Sequence, residues 1–293
     1  MNVRVFTDDD ADAVAALISA DEERFYGRPS RVQGSDILMH RHFWKEAWVY
    51  EEGGRVVASA SYGVHGDVGN IRGVVGDKGN GLGTQILERG EELARDNAVA
   101  RIHTGAPEPD AAARALFESR GYCEVRRFWE MAIELKEEPV VPELPDGLVL
   151  DELRDGEQRA FYDAINEAFQ DHWEWHSMPF EEWVEIRRDQ HHDEHGPVWF
   201  VIRDGGELAA VTRNDANVSG GGYVGAIGVR PGWRGKGLAK VLLYRTFAEF
   251  WRRGTPRVTL DVDAQNDTGA IQLYERVGMQ VEKCGVSFEK PNA

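Results

Sequence analysis

Cysteine is nearly absent from this chain: Cys123 and Cys284 are its two cysteines in 293 residues. Two thiols exclude a disulfide scaffold, and a reducing cytoplasm is the simplest location. Long apolar runs are missing too. None approaches the roughly 18 residues that a membrane span requires. The first ten residues run into Asp8, Asp9 and Asp10 rather than an apolar signal core, so no secretory leader is expected. Positive charge is also short, with 34 Lys+Arg against 51 Asp+Glu and a net charge of −17. That balance excludes the broad basic face by which bulk nucleic acid is usually held. Hydrophobic content of 42% and charged content of 29% describe a soluble globular chain, long enough for two ordinary domains.

Against this acidic background one short stretch stands out, Val229-Arg-Pro-Gly-Trp-Arg-Gly-Lys-Gly-Leu-Ala239. Residues 230–240 hold Arg230, Arg234, Lys236 and Lys240 and no acid. The stretch follows a strand-like run over 223–229 and opens a helix over 238–251. Gly232, Gly235 and Gly237 permit the close approach and unusual backbone angles of a tight loop. The first N–H groups of a helix lack intrahelical partners, and that end of the macrodipole is positive. Such a loop suits an anion such as phosphate. The alternative is an ordinary strand-to-helix turn with solvated basic residues.

The chain is written twice. Ala270-Ile-Gln-Leu-Tyr-Glu-Arg-Val-Gly-Met279 aligns without a gap on Ala113-Arg-Ala-Leu-Phe-Glu-Ser-Arg-Gly-Tyr122, an offset of 157 (270 against 113). Arg234-Gly-Lys-Gly-Leu-Ala239 aligns on Lys78-Gly-Asn-Gly-Leu-Gly83 at 156 (234 against 78). Matches in one order at nearly constant offset indicate a duplicated domain. Between the copies, Pro139, Pro142 and Pro145 forbid a continuing helix or central strand. The expected layout is a first domain over 1–136, a proline-rich linker over 137–146 and a second domain over 147–293. Each half reads as α+β. In the second, helices are expected over 154–168 and 180–190, and a hairpin over 198–213 turns at Asp204-Gly-Gly. A strand over 223–229, a helix over 238–252, a strand over 257–263, a helix over 267–277 and a strand over 281–289 follow. Leu238, Val241, Leu242, Phe247, Phe250 and Trp251 form the expected buried face of the helix over 238–252.

At this point the residues resemble the GNAT superfamily of acyl-CoA-dependent N-acetyltransferases. Arg234-Gly-Lys-Gly-Leu-Ala239 fits that family's loop motif at every position. Asp261-Val-Asp-Ala-Gln-Asn266, with Tyr274 eight residues after Asn266 and Gly278 beyond, resembles its second motif in register. The resemblance implies two tandem GNAT-like domains, each a mixed, largely antiparallel sheet flanked by helices. It implies acetyl-CoA as co-substrate and a primary amine of a small molecule as acceptor. Partners would then be CoA and that amine, with neither nucleic acid nor membrane. The amides of Arg234, Gly235, Lys236, Gly237, Leu238, Ala239 and Lys240 would cradle the pyrophosphate. The backbone of Ile227, Gly228 and Val229 would hold the pantetheine arm, with a Val229 N–H near the thioester oxygen. Asn266 would contact the cofactor, and Tyr274 would protonate the leaving thiolate. Asn266 as a helix cap and Tyr274 as a core aromatic are the structural alternatives.

The family often places a Glu on the strand before the loop; Gly220 to Val229 has no acid. Glu174 is the expected catalytic carboxylate, with Asp171 and His172 beside it and Asp261 and Asp263 on the next strand as other bases. Alternatively the Trp173 and Trp175 segment is a surface turn packed on the hairpin. His172 and His176 stand four apart, but Trp173 follows the first where a metalloprotease has Glu, and His191, His192 and His195 read as a solvated helix end. No metal is expected. In the first half Phe117 replaces Tyr274 and Pro109 replaces Asn266, so that copy is expected to be silent in catalysis. Alternative functions are a CoA-binding sensor or interaction module without turnover, or a protein or peptide N-acetyltransferase.

Overall fold

The computed structural model describes residues 1–189 and 198–292, so His191, His192 and His195 lie outside the described residues. Two compact units divide the chain, and neither is contiguous. One comprises residues 1–129, 263–265 and 283–293; the other comprises 130–262 and 266–282. Both are mixed α/β units. The expected layout set 1–136 apart from 147–293; the compact units instead place 130–136 in the second and 263–265 and 283–293 in the first.

In the first unit the strands are β1 (Asn2–Val5), β2 (Glu46–Glu52), β3 (Arg55–His65), β4 (Val68–Val75) and β5 (Arg101–Pro107). They lie side by side in that order, with β12 (Gln280–Pro291) next to β5. β1 to β4 pair antiparallel, whereas β4 and β5 are parallel. The β2–β3 hairpin turns at Gly53 and Gly54, both at positive φ. Helices α1 (Ala11–Tyr26) and α2 (Gly34–Leu38) cover one face, where Val14, Ala15, Ile37 and Val49 pack together. Helices α3 (Leu82–Asp96) and α4 (Ala111–Ser119) cover the other, over Trp48, Tyr62, Ile71, Leu87 and Phe117.

β12 completes this sheet. It pairs antiparallel with β5 from Gly285 opposite Pro107 to Pro291 opposite Arg101. Phe288 is 1% exposed in the same cluster as Phe117 and lies 5.2 Å from its ring. Glu289 takes Arg101 at 2.9 Å and His103 at 2.8 Å, and Lys290 reaches Glu91 at 3.0 Å.

In the second unit the strand order is β6 (Cys123–Glu134), β11 (Arg257–Asp263), β10 (Gly221–Val229), β9 (Glu207–Val218), β8 (Val198–Asp204) and β7 (Leu148–Glu152). Of β6, residues 130–134 belong here. Helices α5 (Gln158–Phe169) and α6 (Phe180–Asp189) pack Phe161 and Trp183 over Trp199 and Val201. The other helices are α7 (Leu238–Arg252) and α8 (Ala270–Arg276).

Helix α5 starts later than its pattern suggests. Gly156 sits at φ 84°, and the Glu157 carboxylate accepts the Arg154 N–H at 2.9 Å, which holds 154–157 as a turn. Helix α8 is shorter for a similar reason: Gly269, at φ 85°, stands at its N-cap. Of the face expected on α7, Trp251 is only half-buried, while Leu243, Thr246 and Ala248 join the buried set. No described helix is long and apolar enough to cross a membrane, and both cysteines are free thiols.

Phe288→Ala is expected to cost about 3–5 kcal/mol, the usual price of emptying a buried aromatic site. Hydrogen exchange should then accelerate in β2, β3 and α3 and stay unchanged in β8 and β9. Equal acceleration in both units would contradict the assignment of β12 to the first core.

Candidate functional site

The site of the second unit is built on an incomplete strand pair. β10 and β11 are parallel and in register at Gly222 with Val258 and Tyr223 with Thr259; no pairing follows. On its other side β10 stays paired with β9 through Val229 opposite Ala210. The Arg230 N–H bonds the Ala209 carbonyl at 3.1 Å. Groups alternate in direction along an antiparallel ladder, so the N–H groups of Ile227 and Val229 turn away from β9 toward the parted side. Gly228 turns toward β9. Its contribution is steric, because a Cβ there would stand 2.7 Å from the Ala168 Cβ. A register shift between Val224 and Ala226 adds a bulge at Gly225, over which the Arg213 guanidinium lies.

Beyond β10 the chain makes a short 3-10 turn at Pro231–Trp233, then reaches Gly235 at φ 79° and Gly237 at φ 77°. Gly237 is the N-cap of α7 and supplies no side-chain cap. Leu238, Ala239 and Lys240 therefore begin the helix with N–H groups that have no intrahelical acceptor. The basic residues of this loop divide into two kinds. Arg230 is engaged by Glu167 at 2.6 Å and Glu207 at 3.1 Å. Arg234 bonds Asp171 at 3.2 Å and the carbonyls of Ala168 at 3.1 Å and Val229 at 3.3 Å. These two arginines pin the loop to α5. Lys236 and Lys240 make no ion pair among the described residues, and Lys240 lies 5.7 Å from the Tyr244 ring centroid.

Tyr274 is on α8 and is 7% exposed. Its hydroxyl has no hydrogen-bond partner among the described residues, and burial pushes its pKa up to about 12. Asn266 does not cap α8. Its Oδ1 accepts the Thr268 N–H at 2.9 Å in an Asx turn, which leaves Nδ2 without an acceptor among the described residues. Glu174 lies in the turn after α5 at φ 54°, a backbone conformation uncommon for a residue with a Cβ. Its carbonyl and a ring nitrogen of His176 are 2.9 Å apart. Trp175 packs on Phe169 of α5, with ring centroids 5.1 Å apart, rather than on the hairpin, and His172 lies 4.4 Å from the same ring.

Of the other carboxylates, Asp171 is engaged by Arg234, and Asp263 is held by Arg126 at 2.6 Å. Asp261 accepts the Tyr223 hydroxyl at 2.9 Å. Burial raises the pKa of Tyr223 well above that of a free phenol, and Asp261 adds to the shift, so Tyr223 stays protonated. Arg213 pairs with Asp215 at 3.1 Å, and burial pulls the Arg187 guanidinium down to about 9, helped by Arg213. The sequence reading passed over Arg187, Arg213 and Tyr223. Tyr223 carried a visible signal, as the sole ionisable side chain in Gly220 to Val229.

The first unit repeats the architecture. β4 and β5 pair in parallel from Val68 opposite Arg101 to Asn70 opposite His103 and then part. The Gly76 N–H bonds Val57 at 3.0 Å, so the N–H groups of Gly73 and Val75 face the gap. Gly79 and Gly81 stand at φ 88° and 83° before α3. A cavity of about 380 Å³ is lined by Val75, Gly79, Gly81, Thr104 and Phe117 among others. Lys78 is neutralised there by Asp110 at 2.6 Å and Asp21 at 3.2 Å.

A parted strand edge, a glycine loop and an uncapped helix start together suit an extended ligand with an anionic end. The chain belongs to the acetyltransferase (GNAT) family, whose model matches residues 14–122 and again 151–279. It is an acetyltransferase of tandem-GNAT type. The mycothiol acetyltransferase of Thermobifida fusca is 28% identical over 266 residues, covering 83% of this chain and 81% of that protein. That of Thermobispora bispora is 32% identical over 211 residues, covering 69% of each. A GCN5-related N-acetyltransferase from Sphaerobacter thermophilus shares the fold at a TM-score of 0.82 and 30% identity, over 99% of this chain and 95% of that one. A tandem GNAT protein from the clavulanic acid pathway matches in fold at a TM-score of 0.80 and 16% identity, over 100% and 98%.

Alanine at Gly237 or at Gly81 is expected to cost about 1–2 kcal/mol, because each forces a Cβ into the left-handed region. Urea denaturation should show losses of similar size at the two sites, and no loss at Gly237 would remove the strain argument for the loop.

Proposed function

We propose that the chain transfers an acetyl group from acetyl-CoA to the primary amine of a small molecule, with the chemistry in the second unit. The observation that carries this reading is the conjunction, in that unit alone, of the loop with Tyr274 and Asn266. The amides of residues 234–240 bind the pyrophosphate, aided by Lys236 and Lys240. The outward N–H groups of Ile227 and Val229 take the pantetheine arm, and Gly228 keeps that edge close to α5. Asn266 donates from Nδ2 to the cofactor.

The amine attacks the thioester carbonyl, a C–N bond forms, and the carbonyl electrons move onto oxygen, where the Val229 N–H stabilises them. The C–S bond then breaks, and the Tyr274 hydroxyl gives its proton to the departing sulfur. A phenol with its pKa near 12 is fully protonated at neutral pH and so holds the proton this step needs. Glu174 serves the acceptor side, taking the proton that the amine loses. Acetyl-CoA enters this site as a co-substrate, and no metal enters the scheme.

The first unit is a degenerate copy without turnover. Phe117 donates no proton, and the charge of Lys78 is spent on Asp110 and Asp21. A second reading, CoA binding without turnover in either unit, draws on the lack of an acid on β10.

Tyr274→Phe should lower kcat about 100-fold or more and leave the KM for acetyl-CoA nearly unchanged. Release of the CoA thiol over a panel of small amines measures this. Because the folded pKa lies above that of a free tyrosine, the protonated acid persists as pH rises, and wild-type kcat should show no decline centred near pH 10. Tight CoA binding with background rates for every amine would establish the second reading instead.

A further inference from the structure

Strand β10 carries one ionisable side chain, Tyr223, and it stands where the parallel pairing with β11 ends. Tyr223 is in register with Thr259, and no pairing follows. Alternation puts Asp261, two residues beyond Thr259, on the same face of β11. The Tyr223 hydroxyl crosses to it and donates to its carboxylate at 2.9 Å. One hydrogen bond thus bridges the two strands at the inner end of their opening. The glycine loop stands at the other end, beyond Val229. A ligand anchored on that loop and laid along the parted edge runs inward, toward Tyr223.

Other charges face this pair from two further elements. On β9, Asp215 stands opposite Tyr223 and is held by Arg213 at 3.1 Å. Arg213 in turn lies over Gly225, where a Cβ would come within 2.6 Å of a guanidinium nitrogen. From α6, Arg187 adds a positive charge facing Arg213 and Asp215. Asp215 is therefore matched by arginine, and Asp261 receives the Tyr223 proton. Tyr223 is half-buried while Asp261 is exposed, so the bond leads from the protein outward to water. Burial and Asp261 both push the phenol pKa up, so Tyr223 does not ionise alone. A phenol that donates to a carboxylate still keeps lone pairs that accept an N–H.

Given acetyl transfer to a primary amine, on which this inference rests, the proton count is fixed. An alkylamine with a pKa of about 10 arrives at neutral pH as an ammonium ion with three protons. The amide product keeps one, and Glu174 takes one. We propose that Tyr223 and Asp261 form the exit for the remaining proton. The Tyr223 oxygen receives it from the ammonium while the Tyr223 hydroxyl proton passes to Asp261, which returns it to water. Tyr223 meets the amine and is the catalytic residue; Asp261 acts through it. The neutral amine then attacks, nitrogen gives its second proton to Glu174, and Tyr274 protonates the sulfur. Nitrogen loses two protons, sulfur gains one, and one is released per turnover. The pair serves where β10 offers no carboxylate.

The test is the pH profile of kcat/KM in full-length enzyme, read by release of the CoA thiol with ethylamine, benzylamine and tyramine. Asp261→Asn keeps an acceptor for the Tyr223 hydroxyl and loses the charge. At pH 7 it should lower kcat/KM at least about tenfold, with the circular dichroism spectrum unchanged. Without the exit only the neutral amine reacts, so the rate of D261N should climb about tenfold per pH unit and approach wild type near pH 9.5. Tyr223→Phe should behave alike, and the double variant should be no worse than the weaker single one. Asp261→Glu should restore most of the rate. An unchanged rate in D261N, a loss of equal size at every pH, or multiplied losses in the double variant would overturn the exit while acetyl transfer stands. If Y223F does not fold, the D261N profile alone decides. Background rates in wild type with all three amines, alongside tight CoA binding, would overturn the transfer reading and this inference with it.

Discussion

The feature on which everything else depends is a pair of parallel strands that stop bonding to each other. In a closed sheet the N–H groups of Ile227 and Val229 would be spent on β11. Because β10 and β11 pair at two positions and then part, those groups remain available to something outside the protein. Buried backbone donors demand partners. The parted edge is therefore an opening whose natural occupant is another extended chain-like molecule with alternating polar groups. The glycine loop gains its meaning from that edge. It follows that edge directly in the chain, and Gly228 lets α5 press close behind.

Loop charge proves a poorer guide than loop geometry. Arg230 and Arg234 looked like anion receptors in the sequence, and both are bound by acids and carbonyls that the chain brings from α5 and β9. The same holds for Lys78 in the first copy, where Asp110 also caps α4 through the Ala113 N–H at 3.0 Å. What both loops keep is the pair of left-handed glycines, although in the first copy Asn80 Oδ1 accepts the Leu82 N–H at 3.2 Å. Arginine here acts as a brace, and the backbone supplies the receptor.

Much of the fold was legible because its signals are local. Strand 257–263 and helix 238–252 stand where the alternation and the apolar spacing placed them, and the repeat offsets predicted two copies of one unit. Glycines at 156 and 269 moved two helix starts, since each breaks a pattern that apolar periodicity alone would extend. The destination of the last strand was not legible. Alternation reveals which side of β12 is buried but carries no mark of which strand lies beside it. Asn266 and Tyr274 were found by their register with the loop. Their surroundings, an Asx turn and a hydroxyl with no partner among the described residues, follow only from the fold.

The closing role of β12 bears on how the molecule comes into being. Arg101 waits for Pro291, made 190 residues later (291 − 101), before β5 has its outer neighbour. During synthesis the first half must persist with an open strand edge and an exposed Phe117 pocket while the second half emerges and folds. Long-range closure of this kind is slow and leaves the unfinished edge vulnerable to pairing with another chain. Severing the chain in its proline-rich stretch would consequently yield one fragment lacking its last strand, not two self-sufficient modules. The repeat seen in the sequence is therefore not the boundary along which the molecule could be divided.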